Sequence, residues 1–184
     1  MAVPINPYAS NPILAALFAT KRKVFISYHH DGDQPYYDAF TKIFSDTYDV
    51  IQDNSVDRRV DSDDPEYVMR RIRDNYITGS SCTMVLCGAE TPWRKYVDWE
   101  IKATLDKEHG LIGVNLPNSL RNSTGGATVP DRLYENITTG FALWLQWNDL
   151  LAGPAYLKAR IEEANQRPAR LIKNDRPMRQ RNGP

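Results

Sequence analysis

Two rhythms of apolar positions alternate along this chain: short continuous runs, and longer stretches in which large apolar side chains return every three or four residues. The runs Val24-Phe25-Ile26-Ser27-Tyr28 and Cys82-Thr83-Met84-Val85-Leu86-Cys87 read as strands, and so do 48–51, 111–115 and 141–147. Between the first two of these five, the helical repeat predicts a helix over 33–45, with Tyr37, Phe40, Ile43 and Phe44 as its apolar face. Another spans 64–75, opened by the N-cap, proline and early acid of Asp64-Pro65-Glu66 and turning Val68, Met69 and Ile72 inward. Thr91-Pro92 repeats that signal for a helix that Gly110 ends; a brief helix follows at 131–136 and a last one at 154–165. The 82–87 run is apolar enough to be a central strand covered on both faces. Five β-then-α units in series predict an α/β fold, a doubly wound five-stranded parallel sheet with helices on both faces.

Glu100 stands out against this pattern. On a helical wheel Trp93, Val97, Ile101, Thr104 and Leu105 form one apolar stripe, and Glu100 lies on its shoulder, one turn after Tyr96. It is expected to face a cleft rim, partly desolvated and in need of a partner, a substrate being one candidate. In the sheet order 2-1-3-4-5, a crevice opens between the carboxyl ends of strands one and three. That places Ser27-Tyr28-His29-His30-Asp31 opposite Cys87-Gly88-Ala89 and the start of the Glu100 helix. A helix beginning at Pro92 would carry Glu100 about 12 Å from this lip, so a later start, a bend or a deep pocket is required. Trp99, half a turn from Val97, either packs under a loop or contributes to self-association. The 116–130 loop, following strand four, is either a lid over the same lip or a plain surface insertion.

Composition narrows the setting. The chain has 23 basic and 23 acidic residues, so no global field selects nucleic acid or an anionic membrane. Residues 167–184 nevertheless carry six basic side chains and one acidic; this basic tail is expected to be solvated or loosely docked. Residues 1–22 form an N-terminal extension with a short helix near 12–20, and 23–166 the main domain. Cys82 and Cys87 read as small core residues rather than a disulfide framework. The apolar stretch 13–19 is too short to span a bilayer, and its basic residues follow it, the reverse of a signal peptide. A cytoplasmic protein is expected.

Glycine-rich phosphate loops and a receiver-type aspartate after strand three are absent from the sequence, and adjacent His29 and His30 make a poor metal pair. Val24-Phe25-Ile26-Ser27-Tyr28 before a polar loop, the 77–86 segment, and Tyr96-Val97-Asp98-Trp99-Glu100-Ile101 do resemble a known family: the TIR-like domains of bacteria, those of the ThsB proteins of Thoeris anti-phage systems above all. The resemblance covers roughly 23–115. It implies a flavodoxin-like TIR fold, cleavage of NAD at its nicotinamide bond, and release of a cyclic or modified ADP-ribose signal that activates a separate effector protein. NAD is then a substrate, with no resident cofactor. A phage-derived activator and self-association are the further partners expected, and neither membrane nor nucleic acid is.

One carboxylate suffices for that chemistry, because nicotinamide in NAD is already a cationic leaving group and needs no general acid, unlike ordinary glycoside hydrolysis. As the bond breaks, positive charge moves to the ribose, and a carboxylate at about 4 Å would stabilise it by about 4 kcal/mol at an effective dielectric of ~20. That is roughly a thousandfold in rate. Glu100 takes this catalytic role. Tyr28 and Tyr96 are candidates to stack on nicotinamide or adenine, Ser27, His29 and Asp31 to bond ribose or diphosphate, and Arg58 or Arg59 to pair with phosphate. Against these stand plainer roles: Tyr28 in the core, the arginines solvated, Asp31 in a turn. Many TIR enzymes place a small hydroxyl residue and then tryptophan ahead of the catalytic Glu, where this chain has Arg94 and Tyr96. An enzyme and a non-catalytic TIR-like adaptor are the two classes to separate, Glu100 being a buried carboxylate that faces an open pocket in the first and locked by Arg or Lys in a filled cleft in the second.

Overall fold

A computed structural model describes residues 23–46, 49–51 and 64–183. At its centre are four parallel strands lying side by side in the order β1 (Lys23–Ser27), β3 (Cys82–Cys87), β4 (Gly110–Asn115) and β5 (Leu143–Gln146). The three-residue β2 (Asp49–Ile51) pairs with β1 on its other side. All six residues of β3 and all six of β4 are buried, which explains why these strands are continuous runs rather than alternating ones.

Alternation along the strands sends side chains to two separate layers. Val24, Ile26, Met84, Leu86, Ile112 and Val114 meet α1 (His30–Phe44) through Tyr37, Phe40 and Phe44. They also meet α6 (Pro154–Asn165) through Leu157 and Ile161. Each buried Phe of α1 contributes on the order of 1.5–3 kcal/mol. On the opposite face Phe25, Val85, Cys87 and Leu111 pack under α2 (Pro65–Ile72), α3 (Lys95–Asp106) and α4 (Asp131–Thr138). Gly113 of β4 is required by this packing, since a Cβ there would lie 2.7 Å from the Trp144 ring.

Several boundaries differ from the sequence pattern, each for a local reason. α1 begins at His30, because extended His29 already accepts the Asp33 N–H at 2.8 Å, and the helix runs through Pro35. Ile43, expected inward, is 39 % exposed. Asp64 caps α2 by accepting the Glu66 N–H at 3.0 Å, and the helix widens into a π-turn at Arg73–Ile77 that buries Ile77. Trp147, assigned to the last strand, instead opens the one-turn α5 (Trp147–Leu150). Tyr48 and the N-terminal helix near 12–20 lie outside the described residues. Among the described residues no helix is long and apolar enough to cross a membrane.

The largest departure concerns the basic tail. After a 3-10 turn at Ala169–Leu171 it docks across α4 and α3. Asn136 exchanges two hydrogen bonds with the Lys173 backbone, at 2.8 and 3.0 Å. Arg176 pairs with Asp131 and Glu135, and Trp99 Nε1 donates to the Arg179 carbonyl at 2.8 Å. Trp99 therefore packs under a loop, the C-terminal one. Of the tail's basic side chains, Arg176 finds its acids on α4, Arg167 pairs with Glu163 of α6 and Lys173 with Asp175 of the tail itself.

Candidate active site

The helix carrying Glu100 starts late, as the distance to the lip requires. Thr91-Pro92-Trp93 forms a single 3-10 turn, Arg94 is extended (φ −88°, ψ 121°), and α3 begins only at Lys95. Glu100 is then the sixth residue of the helix, about 7.5 Å from its start. Val97, Ile101 and Leu105 pack toward β3 and β4 while Trp99 and Ala103 pack toward α2 and Phe25, so that Glu100 lies between two apolar stripes rather than on the shoulder of one.

Its height above the sheet follows from a pair of threonines. Thr83 of β3 and Thr104 of α3 share a hydrogen bond of 2.7 Å, and Thr104 Oγ1 also donates to the Glu100 carbonyl at 2.8 Å. One helical turn back from Thr104 is about 6 Å, and two residues forward from Thr83 is about 6.6 Å. Glu100 thus stands over the rung where Ser27 pairs with Val85. Helical side chains lean toward the helix N-terminus, here toward the carboxyl ends of the strands and the crevice.

The carboxylate is not on a rim. Glu100 is 1 % exposed, which overturns the expected half-open position; the second stripe, with Trp99 and Ala103, closes the side that a single-stripe wheel leaves open. Ser27, also fully buried, keeps an Oγ without a hydrogen-bond partner among the described residues. A buried hydroxyl in that condition costs roughly 1–3 kcal/mol. A cavity of about 210 Å³ opens on the far side of α3, between Pro92, Pro130, Asp98 and Arg176, and Glu100 does not line it.

The other sequence candidates fall in different places. Tyr28 stacks on Tyr37 (centroids 4.6 Å apart, 7° between planes) in the α1 layer, across the sheet from α3. Its core role holds, and the structure does not bring it beside Glu100. His29 is buried at the end of β1 with Nε2 3.6 Å from Glu90, whereas Asp31 is exposed in the first turn of α1. Tyr96 lies half-buried with its edge to Trp99. Arg58 and Arg59 lie outside the described residues.

Two carboxylates escaped notice in the sequence. Asp33, buried under the crevice, accepts Thr91 Oγ1 at 2.6 Å and Asn118 Nδ2 at 3.0 Å, tying α1 to the 3-10 turn and to the loop after β4. Gly88 leaves room for it, because a Cβ there would sit 1.8 Å from Asp33 Oδ1. Asp98 pairs with Arg132, which is fully buried, through contacts of 2.9 and 3.3 Å, and takes the Arg179 N–H at 2.8 Å. Arg132 also donates to Asn174 and to the Pro177 carbonyl. Nothing local in the sequence announces either, since the partners lie 34 to 85 positions away.

The family model for the TIR-like domain of Thoeris protein ThsB matches residues 25–121, from β1 through β4 into the loop beyond, and contains every element just described around Glu100. The chain belongs to the ThsB TIR-like family. No curated protein matches it. This TIR-like domain is thereby placed among proteins of the Thoeris defence system, and α4, β5 and the docked tail lie outside the matched region.

Proposed function

We propose that this ThsB-type domain is an NAD-consuming enzyme that cleaves the nicotinamide–ribose bond and releases a cyclic or otherwise modified ADP-ribose signal to a separate effector. Glu100 is the catalytic group. The observation that carries this role is its position on the inner face of α3, over the Ser27–Val85 rung and beneath the crevice. In a dry setting a carboxylate stabilises a developing ribosyl cation far better than in water. Ser27 Oγ, on the same face of the sheet, is available for a ribose hydroxyl. Water as nucleophile gives hydrolysis; a second part of the same substrate gives a ring. The sheet is taken as the five-stranded flavodoxin-like TIR arrangement 2-1-3-4-5, which the pairing of Lys23–Phe25 with Asp49–Ile51 supports.

With Glu100 1 % exposed, substrate reaches it only when the crevice opens. A protein silent at rest and switched on by a phage-derived activator or by self-association in the cytoplasm fits that burial. The same burial favours a second function, a TIR-like adaptor whose Glu100 is structural.

Nicotinamide release from NAD, measured for the wild type and Glu100→Gln with and without lysate of phage-infected cells, separates the two. The enzyme predicts release that the variant lacks while staying folded. Equal rates in the two proteins, or none under either condition, would leave the adaptor.

A further inference from the structure

At the mouth of the crevice three side chains form a cluster that catalysis by Glu100 does not use. Glu90, in the loop after β3, is ion-paired with Arg94 and lies 3.6 Å from His29 Nε2. His29 is 7 % exposed and Arg94 24 %, whereas Glu90, at the start of the Thr91–Trp93 turn, is 59 % exposed and reaches toward solvent. Arg94 is also the N-cap residue of α3; the Lys95 N–H behind it is taken by Asn182 Oδ1 of the tail at 2.9 Å, so the guanidinium, rather than the helix end, is the group offered to an anion. Arg94 Nε is buried and has no hydrogen-bond partner among the described residues. The Glu90 carboxylate therefore leaves part of the arginine fork unused.

We infer that Arg94 and His29 form a phosphate site in which Glu90 is a built-in placeholder, displaced when the diphosphate of a dinucleotide enters the crevice. A diphosphate carries more charge and more acceptor oxygens than a carboxylate and can engage the arginine fork from two directions. Glu90 swings out into solvent without disturbing the core. The site rests on the NAD-cleaving function proposed above: Arg94 precedes Glu100 by six residues, about 9 Å along the axis, so one ligand can hold its phosphates at the mouth and its ribose below. Arg94 is then a binding residue and Glu90 a competitor for the same ligand.

Calorimetric titration of the full chain with ADP, with inorganic pyrophosphate as a second probe and adenosine as the uncharged control, tests this without requiring turnover. Glu90→Gln is expected to bind ADP and pyrophosphate about tenfold more tightly than the wild type, and Arg94→Gln at least tenfold more weakly, with adenosine unaffected. Arg94→Lys, which keeps charge and stem, falls between and guards against misfolding of the Gln variant; thermal melting checks all three. ADP binding that Glu90→Gln leaves unchanged or weakens, binding that survives in Arg94→Gln, or no binding to Glu90→Gln at millimolar ligand would overturn the site. Should the ADP order hold while nicotinamide is never released, the phosphate site stands and the enzyme falls; the reverse pattern spares the enzyme alone.

Discussion

Asp98 and Glu100 sit two residues apart on one helix, both buried, and they live in opposite surroundings. Asp98 faces away from the sheet, where Arg132, fully enclosed, grips both its oxygens and the tail adds the Arg179 N–H. Glu100 lies on the sheet side, its backbone carbonyl accepting from Thr104, which is bonded in turn to Thr83 of β3. The first is a completed ion pair, which holds α3, α4 and the tail together. The second stands where a ligand's charge would count. Burial alone does not distinguish a structural acid from a chemical one; the side of the helix does.

Removing the arginine should have the largest effect on this contrast. Arg132→Ala strands the Asp98 charge in the interior and is expected to cost about 3–5 kcal/mol in chemical denaturation, with the tail becoming protease-sensitive. Glu100→Gln should do the opposite, lowering nicotinamide release about a thousandfold, equivalent to about 4 kcal/mol, while the unfolding midpoint holds or rises. If it instead destabilised the fold as Arg132→Ala does, both acids would be structural and the contrast would vanish. Ser27→Ala sharpens the same point on a smaller scale. Deleting a buried hydroxyl that lacks a partner should stabilise the fold by about 1 kcal/mol, and if Ser27 binds ribose, nicotinamide release falls about tenfold.

The smallest effect belongs to His109, beyond the end of α3. Burial, with Lys107 nearby, holds its imidazole below the usual 6.5 in the folded protein. The unfolded chain takes up a proton first as pH falls, so the stability this group contributes is present above about 6.5 and is lost on acidification. Denaturation midpoints between about pH 7.5 and 5 should fall less steeply in His109→Gln than in the wild type.

The strands were legible because burial on both faces leaves a signature that needs no partner information, and α6 because Pro154 and a regular repeat mark it. Glu100 was legible as an acid out of place, but its depth was not. One wheel finds one stripe, whereas α3 is pressed from two sides, and only the π-turn and α2 supply the second. Arg132 went unremarked, and how firmly the tail docks was not visible, for a related reason. Charged residues report their own solubility, and the acids that meet Arg132 and Arg176 lie 34 and 41 positions away in sequence. Asp33 escaped because its partners, Thr91 and Asn118, come from two other loops.

Both cysteines of the chain, Cys82 and Cys87, are completely enclosed in β3, where burial pushes their thiols far up and so suppresses the reactive thiolate. The native protein thus comes with a silent background for maleimide chemistry. A single cysteine introduced at a surface position such as Asp31 or Tyr134 can carry a fluorophore or spin label without first stripping the sulfur from the sheet, and the opening of the crevice becomes something that can be watched.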